Sequence, residues 1–405
     1  MNVFARITLP LAGMNFINQA SRTLVATIGP LLAVEYALSA GELGLLAAVF
    51  FMAYAAAQLP LGLAMDLYGP RRVQSLMALV AATGFLLCAV SVGPIWLGVG
   101  RAITGVGIAG ALIALLKAHT QWLPRHAVAG ATGLAVFLGA MGGLAATLPV
   151  QALLPLIGWR GAFVLLAGMG VALSLWVWLS VPHAPPGAPE PPRRRLLTEI
   201  AEIGRIFPHP VFVRLVPGIA LLSALNFTWQ GLWAGPWLRD VGGLGDTSRA
   251  TVLMGYAAGV SVGSLLMGRL SSRLQRRGQD PMLVPFIAMG GMALCQILLL
   301  LHPFTDSRLF ALVWFGFAFC GAAGPSGYAA VGQSFGPQLA GRVATAINAT
   351  MLALVFLLQT AIGQILDLWP RNASGGWEAA GYGWALAMTL MLQAGTTAWA
   401  IWRRR

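Results

Sequence analysis

The chain has 405 residues, of which 58% are hydrophobic and only 9% are charged, and its mean hydropathy is +0.77. Soluble domains carry about 25% charged residues, so this composition excludes a soluble globular protein. The net charge is +13, but a nucleic-acid-binding protein would carry such a charge on a basic face of a soluble domain. The sequence contains no soluble domain that could present one.

Long apolar runs without strand-like alternation predict helices, because a bilayer forces each spanning segment to satisfy its own backbone hydrogen bonds. Each run is close to the roughly 20 residues that a helix needs to cross a bilayer. We therefore predict an all-α membrane protein with twelve transmembrane helices. The predicted spans are 8–37, 42–67, 71–90, 94–121, 127–153, 159–181, 209–238, 248–270, 281–302, 307–334, 341–367 and 378–401.

A proline-rich stretch follows the sixth predicted span. Its prolines, within residues 182–192, cannot continue a helix and favour extended backbone. Residues 196–206 predict a short amphipathic helix on the membrane surface. The chain is thus predicted to consist of an N-terminal six-helix half, 1–181, a linker, 182–208, and a C-terminal six-helix half, 209–405.

The arginines indicate the orientation in the membrane. If the N-terminus is inside, cytoplasmic segments hold most of them, and the opposite loops and helix ends hold only Arg160, Arg239, Arg249, Arg308 and Arg371. Such an imbalance follows the positive-inside rule. We expect a multi-pass protein of the cytoplasmic (inner) membrane, with both termini and the linker in the cytoplasm.

The segment between the second and third spans reads GLAMDLYGPRR. Its Gly62, Asp66, Gly69, Arg71 and Arg72 resemble the pattern Gly-x-Leu-x-Asp-x-x-Gly-x-basic of the major facilitator superfamily, where it forms the loop between the second and third helices. In that family the loop is cytoplasmic and locks the cytoplasmic gate. The resemblance therefore implies a gate at a tight loop here, against the alternative of an ordinary basic membrane loop.

Two further segments resemble the same family. Residues 268–278 lie where a second copy of the loop belongs, with Ser272 in place of the carboxylate. Arg101, followed by glycines four and six residues later, resembles a pattern of the fourth helix that is associated in the family with proton coupling. The fifth span lacks the Gly-Pro-x-x-Gly-Gly run of drug antiporters. This favours import or facilitated transport.

Polar residues form a stripe along the first span. Asn15, Asn18, Gln19 and Arg22 follow i, i+3, i+4, i+7 spacing, which places them on one face of a helix. A charge near the middle of a span costs roughly 2.5 to 3.5 kcal/mol on insertion scales. We therefore expect Arg22 to face an aqueous cavity, although an arginine buried for packing and satisfied by carbonyls or amides is the alternative.

The seventh span carries a matching stripe. Asn226, Trp229, Gln230, Trp233 and Trp237 share one helical face. The seventh span is the counterpart of the first under a two-half repeat. The two stripes together predict the substrate path.

Other polar residues within the spans have two readings. Lys117, near the cytoplasmic end of the fourth span, either extends to the interface or contributes to a substrate site or gate. Gln58 either lines the cavity or joins helices by a hydrogen bond. The cysteines Cys88, Cys295 and Cys320 lie far apart in apolar spans, which favours neither a disulfide framework nor a metal cluster. We expect no metal site and no cofactor.

A narrower resemblance concerns the seventh and eleventh spans, residues 226–240 and 341–367. They look like a bacterial branch that includes copper importers and riboflavin importers. The copper proteins carry Met-x-x-x-Met in the seventh helix, where this chain has Trp233 and Trp237. Thioether and imidazole ligands select Cu(I), and indoles do not bind it. Copper import is therefore the second interpretation.

The sequence thus predicts a secondary transporter, with no enzymatic activity, that works by alternating access. An organic anion fits Arg22, and a heteroaromatic vitamin such as riboflavin fits the tryptophans. The expected partners are a small-molecule substrate and the lipid bilayer, with protons as a candidate coupling ion for a symporter and no nucleic acid. We expect a monomer.

Overall fold

The structure is a computed structural model that describes residues 2–183, 196–301, 306–335, 339–372 and 375–402. Within these ranges the chain is helical, with turns between the helices and one isolated bridge between Arg371 and Trp377. The predicted all-α fold is confirmed. Most of the predicted linker, residues 184–195, lies outside the described residues.

The helices follow one another in two groups along the chain. Before the linker they are α1 (Leu9–Glu35), α2 (Ala40–Ala89), α3 (Pro94–Ile108), α4 (Ala111–Trp122), α5 (Arg125–Ala145) and α6 (Leu148–Ser180). After it they are α7 (Leu196–Gly204), α8 (Pro210–Thr228), α9 (Ala234–Asp240), α10 (Asp246–Arg276), α11 (Leu283–Leu301), α12 (Ser307–Gly321), α13 (Gly324–Gln333), α14 (Ala340–Leu366) and α15 (Ala379–Trp402). A π-helical turn, Phe4–Thr8, precedes α1, and another, Trp229–Trp233, joins α8 to α9.

Membrane spans form from single helices or from consecutive ones. In the described part of the chain, 8 helical segments are long and apolar enough to cross a membrane. Three of them combine consecutive helices: Pro94–Trp122, Pro210–Asp240 and Ser307–Gln333. The segment Ala40–Ala89 has 50 residues, so it contains both the second and the third predicted spans.

The helical conformation of α2 is interrupted at one residue, Gly69, whereas the sequence predicted a loop over residues 62–72. Gly69 has φ 78° and ψ 158°, a conformation that L side chains rarely adopt, and Pro70 begins the next helical segment. Gly62 and Asp66 lie on helix before this break. The predicted tight loop over residues 62–72 is therefore corrected to a hinge at Gly69.

A second hinge separates the fifth and sixth predicted spans. α5 ends at Ala145, and α6 begins at Leu148 and breaks at Gly158, where φ is 65°. The glycine again permits the positive φ. A helix is present where the sequence predicted one at residues 196–206, as α7 (Leu196–Gly204), and its location on the membrane surface stays a prediction.

The chain divides into two compact units. Unit 1 comprises Met1–Leu24 and Val49–Ile200, and unit 2 comprises Val25–Ala48 and Ala201–Arg405. The second part of α1 and the first part of α2 thus belong to unit 2. The halves 1–181 and 209–405 remain a prediction from the sequence.

Small residues bring helices together within each unit. In unit 1, a Cβ on Gly142 of α5 would overlap the carbonyl oxygen of Phe16 on α1. In unit 2, a Cβ on Gly259 of α10 would lie 2.5 Å from the carbonyl oxygen of Phe315 on α12. Contacts between backbones are how glycine-rich membrane helices pack.

Candidate substrate site and gate

Two arginines lie buried in unit 1. Arg22 on α1 is 7% exposed and Arg101 on α3 is 2% exposed. Nη1 of Arg101 donates hydrogen bonds to the carbonyl oxygen and to Oγ of Ser21, at 3.1 and 3.2 Å. The rings that lie against the two guanidinium groups, those of Phe50 and Tyr54, have centres 6.3 Å apart, so the two groups are close to each other. The structure therefore concentrates positive charge beside the residue that the sequence analysis selected.

Aromatic rings of α2 lie against both guanidinium groups. The Arg101 Cζ atom is 4.3 Å from the ring centre of Phe50. The Arg22 Cζ atom is 5.0 Å from that of Tyr54 and 5.7 Å from that of Phe51. Each arrangement is within the range of a cation–π interaction, which orients a guanidinium group and leaves its formal charge intact.

The rest of the first stripe lies in the same unit. Asn15 and Asn18 are buried and Gln19 is half-buried. A Cβ on Gly139 would lie 2.6 Å from Cβ of Asn15, so Asn15 contacts α5. Oδ1 of Asn18 is buried without a hydrogen-bond partner. Gln58, one helical turn after Tyr54 on α2, is half-buried.

The predicted gate residue Asp66 forms an ion pair within unit 1. Nζ of Lys117 on α4 lies 2.5 Å from Oδ1 of Asp66 and donates a second hydrogen bond, at 2.6 Å, to the carbonyl oxygen of Met65. The Lys117 side chain is 18% exposed and that of Asp66 is 37% exposed. Lys117 thus points into the protein toward the carboxylate.

The remaining residues of the gate pattern have different surroundings. The Arg71 Cζ atom lies 4.9 Å from the ring centre of Trp178. Arg72 is exposed. A Cβ on Gly62 would meet no atom within 4 Å. Among these residues, Gly69 has the special backbone conformation.

The second stripe lies in the core of unit 2. Tyr256 donates hydrogen bonds from its hydroxyl to the carbonyl oxygen and to Oδ1 of Asn226, both at 2.9 Å. Gln230 is 5% exposed. The π-helical turn Trp229–Trp233 interrupts the α-helical spacing. Such turns occur frequently at functional sites.

The tryptophan rings of this stripe contact other aromatic rings. The ring centres of Trp229 and Trp237 lie 5.3 and 5.6 Å from that of Trp314. Trp233 instead lies 6.1 Å from Trp377. The indole nitrogens of Trp229, Trp233 and Trp314 are buried without a hydrogen-bond partner. These donors are available to an acceptor, whereas the rings pack against one another.

Two features of the sites were not foreseen from the sequence. Phe50 and Phe51, whose rings lie against the arginines, precede Tyr54 by four and three residues, and this helical spacing was the signal that could have found them. Asp240 has a fully buried side chain that accepts hydrogen bonds from Arg239 and Tyr382. Its position at the end of an apolar span gave no signal of this burial.

Long apolar helices, glycine-mediated packing and buried arginines define a multi-span helical membrane protein of the transporter class. The profile of the Major Facilitator Superfamily matches residues 11–360. The chain therefore belongs to the Major Facilitator Superfamily, whose members transport small solutes, and the resemblance inferred from residues 62–72 is confirmed.

Individual relatives agree with this assignment. A protein of Cupriavidus necator, named a probable sulfoacetate transporter, is 28% identical over 162 residues, which are 40% of this chain and 38% of that protein. The curated relatives are matched over 38% to 54% of their own length.

Solved structures share the fold. A bacterial homologue of the human lysosomal transporter Spinster, in an inward-facing and occupied conformation, has a TM-score of 0.80 at 19% identity, covering 97% of this chain and 95% of that one. The xylose transporter XylE from E. coli has a TM-score of 0.74 at 12% identity, covering 100% and 99%.

Proposed function

We propose that the protein takes up a small organic anion across the cytoplasmic membrane and that Arg22 and Arg101 bind its acidic groups. The observation that carries this proposal is the pair of buried guanidinium groups in unit 1. Guanidinium groups present a planar fork of donors that matches the oxygens of a carboxylate. Two guanidinium groups suit a solute that carries two acidic groups, such as two carboxylates.

The surroundings of the pair support an anionic cargo. The neighbours Ser21, Phe50 and Tyr54 carry no formal charge. In the described spans of unit 1 the acidic residue is Asp66, which is bound by Lys117. Two like charges in a membrane interior repel each other, so binding of an anion would relieve both the repulsion and the desolvation of the arginines.

The relative named a probable sulfoacetate transporter supports the same class of cargo. Sulfoacetate carries a sulfonate and a carboxylate, and thus two negative charges for two guanidinium groups. Uptake is favoured over drug export because the fifth span lacks the glycine and proline run of drug antiporters. Arg101 is a candidate for coupling to protons, by the family pattern that it resembles.

The heteroaromatic alternative depends on the tryptophans of unit 2. The rings of Trp229 and Trp237 lie against Trp314, and that of Trp233 lies near Trp377. A stacked cargo would have to displace these contacts. This difference makes an organic anion our first choice over a vitamin such as riboflavin, with copper third.

A ligand-dependent stability screen tests the proposal. Purified wild type would be melted with sulfoacetate, succinate, riboflavin or copper, because a ligand at about 100 times its Kd stabilises by about 2.7 kcal/mol. We expect an anion to raise Tm in wild type and in Arg160→Gln, whose arginine also lies over a ring, that of Trp159. The proposal is supported if the anion-induced rise in Tm is lost in Arg101→Gln and retained in Arg160→Gln. It is contradicted if riboflavin or copper raises Tm and no anion does.

A further inference from the structure

The N-terminus of α2 has its own cap. Oγ of Ser39 accepts a hydrogen bond from the backbone N–H of Glu42, at 3.1 Å, and Oε2 of Glu42 accepts one from the backbone N–H of Ser39, at 2.8 Å. This reciprocal pair is a capping box, which satisfies two of the free N–H groups at a helix start. The backbone N–H groups of Ala40 and Gly41 lie between them.

A carboxylate from a distant part of the chain satisfies these two groups. Asp367, the residue after α14, accepts from the N–H of Ala40 through Oδ1, at 2.8 Å, and from the N–H of Gly41 through Oδ2, at 2.7 Å. Hydrogen bonds from N–H groups to a carboxylate are stronger than neutral ones, and a helix N-terminus favours negative charge.

A second side chain of the same segment holds the residue before the cap. Arg371, four residues after Asp367, donates a hydrogen bond from Nη2 to the carbonyl oxygen of Leu38 and one from Nη1 to that of Gly375, at 3.1 Å. Its Cζ atom lies 5.8 Å from the ring centre of Trp377. At the start of α2, Asp367 thus accepts from two backbone N–H groups and Arg371 donates to one backbone carbonyl oxygen.

The backbones beneath these contacts approach without side chains between them. A Cβ on Gly41 would lie 2.8 Å from Oδ2 of Asp367, and one on Gly44 would lie 2.5 Å from the carbonyl oxygen of Gln359. On the other helix, a Cβ on Gly363 would lie 2.5 Å from the carbonyl oxygen of Ala40. Glycine at positions 44 and 363 is required for this approach, because the atoms that a Cβ would meet there belong to the backbone.

We propose that Asp367 and Arg371 form a latch that holds residues 38–41 on the end of α14 and releases them during the transport cycle. The capping box lets α2 keep its cap when the carboxylate leaves, so the helix itself does not depend on Asp367. Residues 38–41 join the parts of α1 and α2 that belong to unit 2. Under the orientation predicted from the arginines, residues 38–41 belong to the loop after the first span and the Asp66 hinge to the loop after the second, so the latch would act as a gate on the opposite side of the membrane.

Labelling of Leu38→Cys tests the latch without any cargo. Leu38 is 1% exposed, so a maleimide reacts with a cysteine there only when the segment is released. The background would carry serine at Cys88, Cys295 and Cys320. We expect Asp367→Ala and Arg371→Gln to raise the labelling rate about tenfold, the scale of losing hydrogen bonds to charged groups.

Asp306→Ala is the matched control, because Asp306 caps α12 through the N–H of Arg308, at 2.8 Å, and does not contact residues 38–41. Its labelling rate should equal that of the parent. An unchanged rate in Asp367→Ala, or an equal rise in Asp306→Ala, would overturn the proposal. These outcomes do not depend on which solute is carried.

Hydrogen exchange gives a second measurement that needs no introduced cysteine. Arg371 does not bond the amides of Ala40 and Gly41, yet Arg371→Gln should speed their exchange if the latch opens as a unit. Exchange at these two amides that stays at the wild-type rate in Arg371→Gln would refute a cooperative latch.

Discussion

Lys117 and Asp66 form a short ion pair, with Nζ of Lys117 2.5 Å from Oδ1 of Asp66. The same ammonium group binds the carbonyl oxygen of Met65, so α4 contacts both the backbone and the carboxylate of α2 beside the Gly69 hinge. The family pattern marks Asp66 as a gate residue, and its ion-pair partner is Lys117, the single lysine in the sequence. An interfacial lysine extending to lipid headgroups would instead point away from Asp66.

Asp66→Asn should slow transport and leave ligand binding measurable, because the amide keeps the shape of the carboxylate but loses the charge that binds Lys117. Lys117→Gln should have the same effect. The double variant should be no slower than either single variant, since both remove one interaction. Transport rates in proteoliposomes, beside ligand-induced stability shifts, provide the measurement.

Glu202→Gln is the control for this pair. Glu202 pairs with Arg342 at 2.6 Å, with side chains 35% and 26% exposed, so this ion pair matches that of Lys117 and Asp66 in length and exposure but lies outside the gate pattern. Its transport rate should match that of wild type. Additive losses in the double variant of Asp66 and Lys117 would show that the two residues act separately.

Gly69→Ala and Gly62→Ala should differ in stability although both glycines belong to the same pattern. Gly69 has φ 78° and ψ 158°, a region that is essentially restricted to glycine and that costs a residue with a Cβ on the order of 1 to 3 kcal/mol. Gly62 lies on helix with no atom near an added Cβ, so alanine there should be neutral or stabilise slightly. Thermal unfolding of both variants measures the difference, and equal effects would contradict the hinge.

Local patterns in the sequence were sufficient for the all-α fold, because long apolar runs have one solution in lipid. Asn15, Asn18, Gln19 and Arg22 all belong to unit 1, and their role as a substrate-facing stripe stays a prediction from the sequence. The bounds of the Gly69 hinge were less accurate, because a helix can continue through polar residues up to the one residue with a positive φ.

Contacts between distant residues were not accessible to pattern reasoning. The ion pair of Lys117 and Asp66 joins residues 51 positions apart, and nothing in either helix alone indicates it. The π-helical turn Trp229–Trp233 changes which neighbours the tryptophans meet, since the stripe was drawn with α-helical spacing. The aromatic partners of Arg22 and Arg101 could be identified only from the structure, because they depend on how α2 packs against α1 and α3.

The orientation predicted from the arginines can be measured directly. A cysteine introduced at Ala188, in the linker, should resist an impermeant maleimide in intact cells and react after lysis. A cysteine at the exposed Thr247, at the start of α10, should react in intact cells. Labelling of Ala188→Cys from outside would refute cytoplasmic termini.

Asp240→Ala should destabilise the protein by about 3 to 5 kcal/mol, the cost of removing one partner of a buried ion pair. The Asp240 carboxylate has no exposed surface and accepts hydrogen bonds from Nε of Arg239, at 2.6 Å, the backbone N–H of Trp377, at 3.0 Å, and the hydroxyl of Tyr382, at 2.9 Å. Asp306→Ala, which removes an exposed helix cap, should cost about 1 kcal/mol. Comparable Tm values for the two variants would contradict this role of Asp240.

The role of the tryptophans can be separated from that of the arginines. Trp233→Ala should weaken a heteroaromatic cargo by roughly 1 to 3 kcal/mol, the scale of stacking on an aromatic side chain. It should leave affinity for a small anion nearly unchanged, since we assign anion binding to the guanidinium groups of Arg22 and Arg101. Titration of riboflavin and succinate against wild type and this variant distinguishes the two cargo classes.

Uptake by cells expressing wild type, Arg22→Gln, Arg22→Lys, Arg101→Gln and Arg160→Gln tests the central claim most directly. The tracers are labelled riboflavin, labelled copper and the labelled anion that most stabilises wild type. We predict anion uptake by wild type and Arg160→Gln, loss of uptake in both glutamine variants of the pair, and reduced uptake in Arg22→Lys, which keeps the charge but loses the planar fork. Copper or riboflavin uptake that survives Arg22→Gln, with no anion uptake in wild type, would contradict the account.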